Sequence, residues 1–375
     1  MKKIVFITGT RADYGKLKTL MHAVEDHENF ELHVFVTGMH MLAKYGSTYK
    51  EVVKDRFKYI YQFVNTRDNQ SMDMTLSNTI VGFSNYVEEF KPDLIVVHGD
   101  RVEALAGAIV GAINNVRVAH IEGGEISGTI DESIRHAITK FAHFHLVAND
   151  QAVRYIIQLG ERPETIFAIG SPDIDVMQAN NLPSIDKAKE RYTIPFDRYN
   201  ILMFHPVTTE IDTIKSQIDE VVEAVLDSQQ NFIVIYPNND EGSRYIFDAY
   251  EYLKGRENIK LFPSIRFEHF LTLLKHAECI IGNSSAGIRE AGVYATPTVD
   301  IGNRQKGRYT LNELPHIVQS QPKRNEILIA IKEAQNRKLI PQSLFGNGES
   351  VAKFIAVLEN VNFWTQSIQK QFIPM

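Results

Sequence analysis

An α/β protein made of two doubly wound, Rossmann-like domains is what the sequence predicts, on three observations. The chain has 375 residues, more than one ordinary core accommodates. Short β-branched runs alternate with longer segments of helical period, as in a parallel sheet covered by helices. The alternation lapses over the polar, proline-containing stretch Gly170–Asn200 and then resumes. The expected division is therefore 1–170, a linker at 171–199, 200–350, and a C-terminal segment 351–375 read as a helix crossing back to the first domain.

The elements follow in order. KIVFIT gives a strand at Lys3–Thr8, stopped by Gly9, and the helical period of Tyr14–Glu25 comes next. Strands at Leu32–Val36, Leu94–Val97, Arg117–Ile121, His145–Val147 and Ile166–Ile169 share the same β-branched character. Helices are expected at Met74–Phe90, Arg101–Ile113, Glu132–Phe141 and Gln151–Leu159, where apolar residues recur at three and four positions. After a linker containing a short helix, strands are read at Ile201–Phe204, Phe232–Ile235, Lys260–Phe262, Cys279–Ile281 and Thr298–Asp300. Their helices are Ile211–Leu226, Arg244–Lys254, Phe267–Lys275 and Ala286–Val293, and Val351–Gln371 also has helical character.

Composition narrows the function classes. The chain is 44% hydrophobic and 23% charged, with a formal net charge of -6, so it lacks the basic footprint of a nucleic-acid binder. Its one cysteine, Cys279, lies in an apolar run, so no disulfide framework is possible within the chain, which fits a reducing compartment. The apolar stretch Ala104–Ile113 is about half of what a membrane span needs, and the N-terminus is too weakly apolar for a signal peptide. A cytoplasmic protein with neither membrane nor nucleic-acid partner is expected.

In doubly wound folds the residues just after strands bind ligands, here around an expected interdomain cleft. The first strand runs into Gly9-Thr10-Arg11-Ala12-Asp13-Tyr14-Gly15-Lys16, which puts Arg11 and Lys16 beside a helix N-terminus, a plausible anion site. An ordinary turn with solvated cations would look the same. The segment matches neither a Walker A loop nor GxGxxG, so NAD and ATP are not indicated and no cofactor is expected. The second domain has a counterpart in Gly282-Asn283-Ser284-Ser285, whose serines offer donors to a diphosphate or simply cap a helix. Glu290, about one turn inside that helix, suits two ribose hydroxyls.

Carboxylates lie between these turns. Asp100 and Glu122, at the ends of successive strands, could face one another, raise one another's pKa and so supply an acid and a base. Asp131 and Glu132 open a helix, where negative charge is favourable in any case. Arg101, His205, Asn238 and Arg304 also follow strands; His205 could bind phosphate or stay internally hydrogen-bonded. No zinc-like spacing and no GxSxG elbow occurs, so neither a metal nor serine-hydrolase chemistry is expected.

Taken together, GTRADYGKL, VTGMH, VHGDRVEALA, HIEGGEISGTIDESIRHAITK, HPVTTE, YPNND, IGNSSAGIRE and IGNRQKGR resemble the hydrolysing UDP-N-acetylglucosamine 2-epimerases of sialic acid biosynthesis. The resemblance runs to about Arg308 and implies a two-domain glycosyltransferase-B-like fold and a homodimer or homotetramer. It implies that Arg11, Lys16 and His205 hold the UDP phosphates with Ser284 and Ser285, and that Glu290 takes the ribose. Asn238 and Arg304 would line the nucleotide, Arg101 would contact the UDP-sugar, and Asp100, Glu122 and Asp131 would be the acid–base carboxylates. The implied reaction turns UDP-GlcNAc and water into N-acetylmannosamine and UDP through a 2-acetamidoglucal. Glu132 stands where close relatives often have aspartate.

Three rivals remain on sequence alone. One is the same chemistry on UDP-2,4-diacetamido-2,4,6-trideoxyglucose, for legionaminic acid. Another is a retaining glycosyltransferase, disfavoured because Thr298, not glutamate, follows Glu290 by eight positions. The last is a UDP-sugar-binding sensor, disfavoured by three acidic groups around a dianionic ligand.

Overall fold

A computed structural model describes residues 1–68, 70–179, 182–371 and 373. The chain divides into two compact units, the first comprising Met1–Glu125, Asp131–Gln178 and Leu344–Met375, the second Ile126–Ile130 and Ala179–Ser343.

In the first unit seven strands are β1 (Lys2–Thr8), β2 (Phe30–Val36), β3 (Ile60–Gln62), β4 (Leu94–His98), β5 (Arg117–Ile121), β6 (Phe144–Val147) and β7 (Ile166–Ala168). They form one parallel sheet in the order β3-β2-β1-β4-β5-β6-β7. Side chains alternate across it. Ile4, Phe6, Val34, Val36, Leu94 and Val96 enter one core layer, and Val5, Ile7, Phe35, Ile95 and Val97 enter the other. Burial on both faces is why these strands read as continuous apolar runs rather than as alternating ones.

The second unit repeats the plan with β8 (Asn200–Met203), β9 (Phe232–Ile235), β10 (Ile259–Phe262), β11 (Ile280–Gly282), β12 (Thr298–Ile301) and β13 (Ile317–Ser320). Its order is β10-β9-β8-β11-β12-β13, again parallel throughout. Both orders are the doubly wound one, in which the chain starts centrally, winds outward and then reverses.

Several expectations are corrected. The strands β3 and β13 and the helices Tyr49–Lys54 and Arg324–Gln335 are additions to the expected elements, the last with a helical stripe of Ile327, Ala330, Ile331 and Ala334. Gly170–Asn200 holds two helices, Pro172–Gln178 and Ile185–Tyr192, rather than one. The expected helix Val351–Gln371 is two, Ser350–Glu359 and Val361–Thr365, because Asn360 is extended and caps the second with its side chain.

That C-terminal segment packs on the first sheet. Phe354 is fully buried with its ring 6.1 Å from that of Phe6, and Phe363 stacks on Phe144 at 3.8 Å. Phe354→Ala should therefore cost about 3–5 kcal/mol. Urea unfolding followed by the fluorescence of Trp364, the one tryptophan, would measure it; an unchanged midpoint would contradict this packing.

No helix among the described residues is long and apolar enough to cross a membrane.

Candidate functional site

Strand order reverses beside β1 and β4 in the first sheet and beside β8 and β11 in the second. Beyond the C-terminal ends of strands at such a point, neighbouring connections leave toward opposite faces and open a crevice. Gly9–Lys16 and His98–Arg101 follow β1 and β4; His205 and Asn283–Glu290 follow β8 and β11. The chemistry-bearing segments thus lie where each unit's topology opens.

In the first unit the β1 turn is fixed by capping. Thr10 caps the helix Arg11–Glu25 by accepting from the Asp13 N–H, and Asp13 in turn accepts from the Gly9 N–H at 3.1 Å. Arg11 lies 3.5 Å from Glu51, and Lys16 lies 3.2 Å from the wholly buried carboxylate of Asp173. The two cations expected to meet phosphate are therefore held by carboxylates in the structure.

His98 organises the end of β4. Its Nδ1 is 2.8 Å from Asp13 and its Nε2 is 3.1 Å from Glu122. Burial alone would lower its pKa, but Glu122 and Asp13 outweigh burial and raise it to about 10. The ring is thus an imidazolium at neutral pH, hydrogen-bonded to Asp13 through Nδ1 and ion-paired with Glu122 through Nε2. Glu122 also accepts from the Ser171 hydroxyl. Its backbone is left-handed, with φ 62°, a conformation that costs a non-glycine residue about 1 kcal/mol or more. His120, whose pKa burial lowers to about 3, supports the neighbouring turn by hydrogen-bonding the Gly99 carbonyl at 2.8 Å.

Asp100 accepts from Arg135, a side chain 1% exposed on the helix Ile130–Phe141. Arg135 also donates to the Glu125 carbonyl at 2.9 Å. Burial opposes its charge, yet Asp100, Glu125 and Asp131 raise its pKa further. Asp131 stands at the start of that helix, and Glu132 lies 3.5 Å from His136. Each of the two expected carboxylates has a cation beside it, Arg135 for Asp100 and His98 for Glu122. Each carboxylate is thereby oriented by its cation. Arg101 lies 3.4 Å from Glu103.

In the second unit Asn283 is the tie that the sequence reading missed. It is 1% exposed and binds the His205 backbone reciprocally, accepting from its N–H at 2.7 Å and donating to its carbonyl at 2.8 Å. The Asn283 carbonyl then accepts from Arg304 at 3.2 Å and Gln305 at 2.8 Å. The approach needs Gly282: with φ 131°, a Cβ there would lie 2.0 Å from the Met203 carbonyl oxygen. Asn238 donates its backbone N–H to His205 Nδ1 at 3.1 Å, which puts the ring proton of a neutral His205 on Nε2. The Asn238 side chain bonds Asp240.

Ser284 caps a short 3-10 turn, Ser285–Gly287, accepting from Ala286 N–H at 3.3 Å. The α-helix itself begins at Glu290, so Glu290 is its first residue and not one turn inside, as the sequence suggested; it is 3% exposed. Ile126–Ile130 packs with this unit, and a Cβ at Gly128 would lie 2.5 Å from the Asn303 carbonyl oxygen.

Asp13, His98, Ser171, Asp173 and Asn283 thus join the residues singled out from sequence. Asp13 and His98 stood inside the quoted motifs, whereas nothing local marks Ser171 and Asp173, which act across 49 and 157 positions. Among the described residues, no group of three or more His, Cys, Asp and Glu is placed to hold a metal ion.

Each of the two units is a Rossmann-like α/β fold with charged groups at its switch point, the place where proteins of this class bind ligands. The family model for UDP-N-acetylglucosamine 2-epimerase matches residues 22–359, and the chain belongs to that family. A UDP-N-acetylglucosamine 2-epimerase of Neisseria meningitidis serogroup B is 47% identical over 100% of both chains. A hydrolysing UDP-N,N'-diacetylbacillosamine 2-epimerase of Legionella pneumophila is 32% identical over 99% of each. Among solved structures, the Methanocaldococcus jannaschii UDP-GlcNAc 2-epimerase in complex with UDP-GlcNAc and UDP has a TM-score of 0.81. It is 21% identical, with coverage of 95% of this chain and 99% of that one, a likeness of fold.

Proposed function

We propose that the protein is a hydrolysing UDP-N-acetylglucosamine 2-epimerase, which releases N-acetylmannosamine and UDP for sialic acid biosynthesis. The observation that carries this reading is the pair of cation-oriented carboxylates, Asp100 and Glu122, at the ends of adjacent strands. The full-length 47% identity to the Neisseria enzyme favours UDP-GlcNAc over the diacetamido substrate of the 32% relative. The segment Ile130–His136, written IDESIRH, follows the hydrolysing pattern.

On this reading the diphosphate competes with Glu51 and Asp173 for Arg11 and Lys16. His205 donates from Nε2, and Ser284 and Ser285 add donors from the second unit. Glu290 takes the ribose hydroxyls, Asn238 and Arg304 flank the nucleotide, and Arg101 contacts the UDP-sugar. The crevice that brings both units to one ligand is part of the proposal.

The C2 proton of the ring is not acidic in the substrate, because no carbonyl is attached to C2. Cleavage of C1–O comes first, with the electron pair leaving on UDP, whose charge the cations and helix N-termini stabilise. The oxocarbenium ion that results is stabilised by Asp100, Glu122 and Asp131, and it acidifies C2. A carboxylate removes that proton, giving 2-acetamidoglucal. Water then adds its hydroxyl to C1 while a proton returns to the opposite face of C2.

Proton NMR of the enzyme with UDP-GlcNAc in deuterated buffer tests this. Free UDP and N-acetylmannosamine deuterated at C2 are expected. Formation of UDP-N-acetylmannosamine would make the enzyme non-hydrolysing. An inert UDP-GlcNAc beside turnover of the diacetamido sugar would move the assignment to the second substrate.

A further inference from the structure

Glu103 has no part in the chemistry above, yet it occupies one of the most constrained positions in the first unit. It lies in the first turn of the helix Val102–Ile113, immediately after Asp100 and Arg101, and is 2% exposed. A carboxylate in the first turn of a helix usually faces water, where it complements the helix dipole at little cost. This one points inward. Among the described residues, none donates a hydrogen bond to either of its oxygens. Arg101 Nε lies 3.4 Å from its Oε2. Withdrawing a carboxylate from water without a full set of donors is among the costlier arrangements a core contains, and it persists where something else needs it.

The surrounding backbone makes room for this group. A Cβ at Gly38 would lie 2.6 Å from Glu103 Oε1, and one at Gly9 would lie 3.2 Å from its carboxyl carbon. Gly38 has φ 63° and is held by Asn65, whose Oδ1 accepts the Gly38 N–H at 2.8 Å; Asn65 in turn donates to Thr79 at 2.7 Å. The turns that follow β1 and β2 thus omit side chains where the carboxylate sits. Three strand ends, those of β1, β2 and β4, converge on it.

We infer that Glu103 is a positioning residue for Arg101, fixing its guanidinium beside Asp100 for contact with the anionic part of the UDP-sugar. The inference rests on the proposed role of Arg101. The carboxylate attracts the Nε edge of the guanidinium across 3.4 Å without a hydrogen bond, which turns that edge toward Glu103 and leaves the Nη groups to meet an anion. An arginine oriented before ligand arrives loses less rotamer entropy on binding, so the pair acts on affinity more than on the chemical step.

The test is a double-mutant cycle on the full-length enzyme with UDP-GlcNAc. Glu103→Gln keeps the shape and removes the charge; Glu103→Met removes the charge without burying an amide. Each should raise KM about tenfold with kcat within about threefold, the signature of lost binding shared by ground and transition states. In an Arg101→Ala background the same changes should add less than about twofold, because the interaction is already gone. Thermal midpoints recorded alongside separate this from a packing role, which would lower stability and leave KM alone. Additive losses of Glu103 and Arg101 variants, or an unchanged KM in both Glu103 variants, overturn the inference. An unchanged KM in Arg101→Ala alone would instead remove the substrate-contact reading of Arg101 on which it rests.

Discussion

Glu122→Gln should lower kcat by about a thousandfold while leaving UDP affinity within about twofold, the effect of removing a charged acid–base group at the reacting centre. Three features of the structure make this the sharpest single substitution. Glutamine keeps the length of the side chain, so the space beside Ser171 and His98 stays filled. It removes the negative charge that both raises the His98 pKa and would stabilise positive charge on the sugar. And the residue sits in a left-handed conformation that costs a non-glycine residue about 1 kcal/mol or more. Asp100→Asn is a less clean probe, because Arg135, 1% exposed, would lose one of the carboxylates that hold it and the protein some stability with it. Turnover should be measured with calorimetric UDP binding and a Trp364 unfolding curve on the same preparation. More than a tenth of wild-type kcat in Glu122→Gln would remove Glu122 from the acid–base set. Lost UDP binding would place it with the nucleotide instead.

Central strands were readable from sequence for a simple physical reason: β1, β4, β8 and β9 are buried on both faces, so their apolar runs are continuous. The edges were not. β3 has only three residues and two of them are exposed, which leaves nothing for periodicity to detect. For the candidate site, residue types after strands were readable and their partners were not. His98 stands two positions from Asp100 in sequence, but its carboxylates come from a turn 85 positions earlier and from the next strand's end. The left-handed backbone of Glu122 gives no signal at all, since that conformation announces itself only when glycine fills it. The same holds for Ser171 and Asp173. Both lie at the start of the helix Pro172–Gln178, in the stretch that sequence alone reads as linker, and both turn toward the functional strand ends.

Buried histidines make the second large prediction, a loss of first-unit stability between pH 6.5 and 4. Burial lowers the pKa of His40 to about 4, of His120 to about 3 and of His143 to about 4, and that of His145 is also lowered. A base whose folded pKa lies below its unfolded value contributes stability present above about 6.5 and lost as pH falls through the folded pKa. By pH 5 the three strongest cases together should remove about 6 kcal/mol, a large part of what a domain of this size has. His98 works the other way: with its pKa raised to about 10, its contribution is complete below about 6.5 and is lost only as pH rises through 10. Glu161, lowered to about 2 despite burial by His145, Lys140 and Lys370, holds its contribution until far more acid conditions. The neutral imidazoles therefore act before Glu161 as pH falls. In the second unit Asp300 partly offsets the trend, because burial raises its pKa to about 6 and protonation there favours the folded state. Urea titrations at pH 7, 6 and 5 followed by Trp364, which lies in the first unit, should show the midpoint falling at each step. His120→Asn, which keeps a polar group of similar size but cannot titrate, should flatten that fall. A midpoint constant from pH 7 to 5 would mean that the buried rings carry their protons in the folded state, and that their polar neighbours, Thr48 beside His40 and Gly99 beside His120, accept from charged rather than neutral imidazoles.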